Sequence, residues 1–219
     1  MRTSFLKQAL ESIKTNAPSL EEVADGKVNK EIEHVYYGRL VNFDDLKKAE
    51  NFEQQEQWEL KIPKSEKNAG KGTIRIRKTI KGDSLPEYVL TTKTTANADG
   101  DRFEISIPTT EQNFVQFKIL SDSGMKKDRY FFPAPGTDLT WEFDVFIIKT
   151  DEDGKNHYSP WIKIDLEVSS REATIPNFPI EITDLIVSPF GERTEAEEKK
   201  VTELYENIFR IKNTYLGKK

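Results

Sequence analysis

Apolar and polar positions follow two different periods along the chain. Near the N-terminus, Phe5, Leu6, Ala9, Leu10 and Ile13 recur at helical spacing, and Ala17-Pro18 ends the helix this predicts over 3–15. A polar connector follows from Leu20 to Lys30. Glu31 to Leu40, with Ile32, Val35, Tyr36 and Tyr37, suits a strand. Phe43 to Phe52 places Leu46 and Ala49 among charges after Asn42 and Asp44, which can cap a helix.

From Glu56 onward strict alternation dominates: Trp58 to Ile62, Thr73 to Thr79, Tyr88 to Thr94 and Arg102 to Ile107 each read as half-buried strands. Gly, Pro, Asn or Asp bounds each of them. A short helix is predicted over Thr110 to Leu120 from Phe114, Phe117 and Leu120. Strands resume at Lys127 to Phe132, Trp141 to Lys149 and Trp161 to Val168, with a turn at Asp151 to Gly154. Ile180 to Val187 reads as a short strand or a loop. Thr194 to Asn213 carries Val201, Leu204, Tyr205, Ile208 and Phe209 on one face of a closing helix. About eight strands with few helices predict a barrel or a strongly curved sheet. The expected organisation is residues 1–29 as helix and connector, then 30–219 as one β-domain with a C-terminal helix.

Composition narrows the chemistry. The 219 residues are 36% hydrophobic and 32% charged, with a net charge of −5, which disfavours duplex nucleic acid as a partner. There is no cysteine and there are two histidines, so a zinc site built on thiolates is excluded and one built on histidines is disfavoured. Any metal would be held by carboxylates, which points to Mg²⁺ or Mn²⁺. No apolar run approaches a membrane span, and the expected compartment is the cytoplasm.

The candidate chemistry lies inside the alternating strands. Arg75 and Arg77 share one face, with Ile74 and Ile76 on the other. Lys93, Arg102, and Lys127 with Arg129 continue the basic series. Glu31 with Glu33, Glu142 with Asp144, and Asp165 with Glu167 pair in the same way. Such faces are usually solvated exteriors. Here basic and acidic pairs segregate by strand, and the intervening positions are apolar enough to pack beneath helices.

The order of these motifs resembles the CYTH family, the triphosphate tunnel metalloenzymes, which include class IV adenylate cyclases, thiamine triphosphatases and inorganic triphosphatases. Glu31-Ile32-Glu33, Arg75-Ile76-Arg77, Lys93, Arg102-Phe103-Glu104, Lys127-Asp128-Arg129, Glu142-Phe143-Asp144 and Asp165-Leu166-Glu167 occur in the family's order over about Lys30 to Asn213. The sequence departs at Val35, where the opening motif usually carries lysine, and at Ser106, the second carboxylate position of the Arg102 strand. An alternative register opening on Gln57 to Lys61 restores the lysine but loses the first glutamate.

The resemblance implies an α+β fold, a closed antiparallel eight-stranded β-barrel with flanking helices at both ends. It implies that Arg75, Arg77, Lys93, Arg102, Lys127 and Arg129 bind phosphate, with Arg75, Arg77 and Lys93 taking part in catalysis. Glu31, Glu33, Asp165, Glu167, Glu104 and Asp144 would hold Mg²⁺ or Mn²⁺. The function implied is a metal-dependent hydrolase of a triphosphate-bearing small molecule, working as a monomer or homodimer without a membrane. The alternatives are a cyclase, or a polyphosphate-binding protein with impaired turnover, which Val35 and Ser106 favour.

Overall fold

The computed structural model describes residues 30–61, 73–93, 102–121, 123–170, 172–187, 194–196, 199–200 and 202–204. The side chains of Lys30, Glu31, Lys61, Thr73, Lys93, Arg102 and Phe103 lie outside that description. So do the predicted N-terminal helix and the end of the closing helix.

The described residues form nine strands: β1 (Lys30–Leu40), β2 (Asn51–Lys61), β3 (Thr73–Ile80), β4 (Glu87–Lys93), β5 (Arg102–Pro108), β6 (Ser123–Pro133), β7 (Thr140–Thr150), β8 (Asn156–Val168) and β9 (Ile182–Val187). They hydrogen-bond in the order β5-β4-β3-β2-β6-β7-β8-β1-β9. The eight strands expected from sequence are thus nine, because the Ile180 to Val187 segment pairs with β1 between Tyr36 and Leu40. On that same side of β1, Lys30 and Glu31 pair with Phe103 and Arg102 of β5.

The helix expected over Phe43 to Phe52 is instead a six-residue 3-10 turn, Phe43–Lys48, after which β2 begins. The Asn42 side chain accepts from the Asp44 amide, and a single buried residue, Leu46, anchors the turn. The strand expected from Trp58 starts at Asn51, since Glu53, Gln55 and Gln57 are buried and hide its alternation behind polar letters. The helix expected after Thr110 is found as α1 (Glu111–Leu120), with the Thr110 hydroxyl accepting from the Asn113 amide.

Residues cluster into two compact units. In one, β3, β4 and β5 pair antiparallel, so that Ile76 meets Leu90 and Leu90 meets Ile107 on one face. Phe114 and Phe117 of α1 are buried, and Phe114 meets Tyr88 at a centroid distance of 5.5 Å. In the other unit, β6, β7, β8 and β1 pair antiparallel. One face of these strands, with Phe132, Trp141, Phe143, Val145, Ile162, Ile164 and Leu166, forms the core together with Leu46 and Ile180. Trp141, Phe143 and Ile164 are fully buried. Each such side chain stabilises the fold by about 1.5–3 kcal/mol through removal of apolar surface from water. With this face turned into the core, the alternate residues of the same strands occupy the other face. Those residues are the charged ones.

Candidate functional site

The charged face of β6, β7, β8 and β1 is assembled by register. Arg129 lies opposite Asp144, Asp144 opposite Lys163, Glu142 opposite Asp165, and Glu33 opposite Glu167. Lys127 hydrogen-bonds Asp144 Oδ2. Arg129 Nε is 2.6 Å from Asp144 Oδ1 and its Nη2 is 2.9 Å from Oδ2, while Nη1 donates to Glu142. Lys163 donates to Asp165 and stands 3.7 Å from Glu33. This network is enclosed: the side chains of Lys127 and Asp144 are 7% and 1% exposed. Leu204 of the closing segment packs with Trp161 and Ile186 at the Trp161 end of β8.

Burial on this scale sets the protonation states. Burial opposes ionisation of Asp144, but the adjacent Arg129 and Lys127 charges prevail and hold it well below the usual carboxylate range. For Lys127 burial dominates, reinforced by Arg129, and its ammonium is pulled down to about 7 against the attraction of Asp144. Burial, with the Glu33 and Asp144 charges adding to it, pushes Asp165 up to about 6 despite Lys163. Burial also opposes the charge on Lys163, yet Asp165, Glu33 and Asp144 raise it above an ordinary lysine. Arg129 is likewise held cationic against its burial, chiefly by Asp144.

The other unit carries a second polar cluster. Arg75 and Arg77 project from the face of β3 opposite Ile76, which is 1% exposed. Arg75 lies opposite Thr91, and Thr91 opposite Ser106. Thr91 and Ser106 share a 2.8 Å hydroxyl hydrogen bond, and Ser106 donates to Glu104 at 2.9 Å. Ser106, where a carboxylate was expected, therefore orients Glu104. Arg75 Nη2 is 3.6 Å from Glu104 Oε1, and Arg75 Nε is buried with no hydrogen-bond partner among the described residues. The backbone register places Lys93 opposite Glu104, and Arg102 opposite Glu31.

The carboxylates differ in their fitness for a metal. Asp144 is taken by Lys127 and Arg129, and Asp165 by Lys163, so neither presents two uncommitted oxygens. Glu33 and Glu167 are cross-strand neighbours with exposed carboxylates, an arrangement a divalent cation would relieve of its repulsion. Among the described residues no three Asp, Glu, His or Cys side chains converge in a metal-binding group.

Several polar residues of these faces escaped the sequence reading as site residues. Lys163 shares the alternation of Asp165 and Glu167 and could have been found by it. Glu53 and Gln55, buried and hydrogen-bonded to each other, fall between the helix expected to end at Phe52 and the strand expected from Trp58. Trp58, Trp141 and Trp161 are all buried. A separate cavity of about 610 Å³, walled by Phe43, Leu46, Phe52, Tyr130 and Tyr158 among others, includes none of the candidate site residues.

No protein family matches the chain, and no curated protein does. Among solved structures it is similar to the PH1819 protein from Pyrococcus horikoshii OT3, at 16% identity and a TM-score of 0.41 over 82% of this chain and 90% of that one. It is similar to the inorganic triphosphatase NE1496 at 21% identity and TM-score 0.41, over 71% of this chain and 85% of that one. A third similar structure is HpAC1 from Hippeastrum, a proposed adenylyl cyclase with a dominant triphosphatase activity, at 13% identity and TM-score 0.37 over 64% and 81% of the two chains. At these identities and TM-scores the likenesses assign no substrate or activity to this chain.

Proposed function

We propose that the chain is a phosphohydrolase for a small molecule bearing a triphosphate. The observation that carries this reading is the state of Arg75. Its guanidinium is 19% exposed, its Nε makes no hydrogen bond among the described residues, and Glu104 stands 3.6 Å off, too far for a charge-assisted hydrogen bond. A sequestered guanidinium with donors to spare suits a phosphate oxygen, which it can engage at two points.

In the full proposal, pairing of β1 with β5 closes strands β1 to β8 into a barrel. The basic residues Arg75, Arg77, Lys93, Arg102, Lys127 and Arg129 are those proposed to bind the phosphates. The two-residue β1–β5 pairing supports closure, and the buried polar side chains of β2 suit a hydrated interior. Arg75 and Arg77 position and neutralise the transferred phosphoryl group, and Ser106 fixes the Glu104 carboxylate beside it. Phosphoryl transfer gains most from such positioning and charge, so no nucleophilic side chain is required. Glu33 and Glu167, with Glu31, are the residues suited to hold Mg²⁺ or Mn²⁺, which supplies Lewis-acid neutralisation of phosphate charge.

A second reading, a polyphosphate binder with impaired turnover, is favoured by Val35, which faces Asp165 directly and brings no charge to it. Phosphate release from tripolyphosphate, thiamine triphosphate and nucleoside triphosphates, with Mg²⁺ or Mn²⁺, tests the proposal. Release of orthophosphate supports hydrolysis. Pyrophosphate with a cyclic nucleotide indicates a cyclase, and binding with no turnover indicates the binder.

A further inference from the structure

Lys163 lies outside the expected ligand set, yet its ammonium stands among the carboxylates of that set. Its Nζ donates to Asp165 Oδ2 and lies 3.7 Å from Glu33 Oε1 on the neighbouring strand. The strands explain how it gets there. Lys163 and Asp165 are two apart on β8 and share its charged face. The backbone partner of Lys163 on β1 is Tyr37, so its side chain extends along the strands toward Glu33. It passes the level of Val35, the apolar partner of Asp165.

The surrounding charges hold the ammonium there. Asp165, Glu33 and Asp144, on β8, β1 and β7, surround it with carboxylates. Arg129 of β6 approaches the same Asp165 oxygen at 3.7 Å. The neighbouring carboxylates thus have internal counter-ions, Arg129 reaching from β7 to β8 and Lys163 from β8 to β1. An ammonium has three donors. One serves Asp165, and the bridging position toward Glu33 leaves capacity for an anion at the same face.

We infer that Lys163 is a tethered cation that takes the place of a second divalent metal. It neutralises Asp165 and Glu33 and offers an N–H donor to a phosphate oxygen, so that the site engages a polyphosphate without requiring a divalent ion for binding. This rests on the polyphosphate reading above, and goes beyond it by separating metal dependence of binding from that of turnover.

Titration calorimetry with sodium tripolyphosphate, in EDTA and in Mn²⁺, tests it on the full chain, with Mn²⁺ affinity followed separately by electron paramagnetic resonance. Wild type is expected to bind tripolyphosphate in EDTA. Lys163→Ala is expected to lose about ten- to hundredfold in EDTA, the worth of one charged hydrogen bond. It should recover in Mn²⁺ and bind Mn²⁺ itself more tightly than wild type. Lys163→Arg should keep the EDTA binding. Wild-type binding that demands Mn²⁺ overturns the inference, whether or not Lys163→Ala folds, and leaves the polyphosphate reading standing. EDTA binding that Lys163→Ala leaves unchanged overturns it too. Absence of tripolyphosphate binding in both conditions overturns both.

Discussion

Arg129 grips Asp144 at two points, Nε to Oδ1 at 2.6 Å and Nη2 to Oδ2 at 2.9 Å, from directly opposite positions on β6 and β7. The carboxylate is 1% exposed and also accepts from Lys127, so two buried cations depend on one anion. Removing it strips the buried Lys127 of its acceptor and leaves Arg129 only its bond to Glu142 and the more distant Asp165. Asp144→Ala should therefore destabilise the fold by about 3–5 kcal/mol, read from urea denaturation midpoints. A loss below about 1 kcal/mol would mean that the network is solvated.

Acid and alkali probe a different pair. The Tyr158 hydroxyl donates to Asp128 at 2.6 Å, and Asp128 is 2% exposed. Burial raises the Asp128 carboxyl, partly offset by this hydrogen bond. Because its folded value is raised, its contribution to stability is complete below the ordinary 3.8 and is lost as pH rises through the folded value. Tyr158→Phe removes the offset and enlarges that loss. The variant should cost about 1–3 kcal/mol at neutral pH and less in acid, where the carboxyl is protonated in both states. Tyr158 itself is raised above 10.0 by burial and Asp128, so wild type sheds stability above that pH and the variant escapes this loss. Urea midpoints across the pH range measure both arms, and a penalty independent of pH would contradict them.

A steric prediction follows at Gly124. A Cβ there would come within 2.3 Å of the Trp58 ring, which is 2% exposed and covered by the Lys118 ammonium at 4.7 Å. A rigid buried indole has nowhere to retreat. Gly124→Ala should lose about 1–3 kcal/mol in the same assay, and an unchanged midpoint would show that the indole moves.

Activity should separate from stability at two exposed or loosely paired positions. Arg75→Ala removes a phosphate donor, and turnover should fall by about a hundredfold or more. Glu167→Ala removes a metal carboxylate and should abolish the Mg²⁺ or Mn²⁺ response. Phosphate release and denaturation measured side by side check both. Full turnover in the two variants would reject the assigned roles.

The strand faces were readable from sequence because alternation is local: Arg75 with Arg77, Lys127 with Arg129, and Asp165 with Glu167 each declare a shared face without knowledge of neighbours. The apolar partners Ile76, Phe143 and Ile164 were equally plain. What alternation cannot give is register. That Asp144 would meet Arg129 depends on how β6 and β7 align, and that Lys163 would reach Glu33 depends on β8 lying beside β1. β2 was obscured for another reason. Its buried positions Glu53, Gln55 and Gln57 are polar, so a pattern search based on hydrophobicity finds nothing to follow there.

The central claim is that the paired arginines of β3 bind a triphosphate. Arginine side-chain NMR, with Nε resonances assigned through Arg75→Lys and Arg77→Lys, measures this during a tripolyphosphate titration. The account predicts that the Arg75 and Arg77 signals shift together and saturate at one ligand per chain. Signals that stay unmoved, or that saturate at different ligand concentrations, would contradict it.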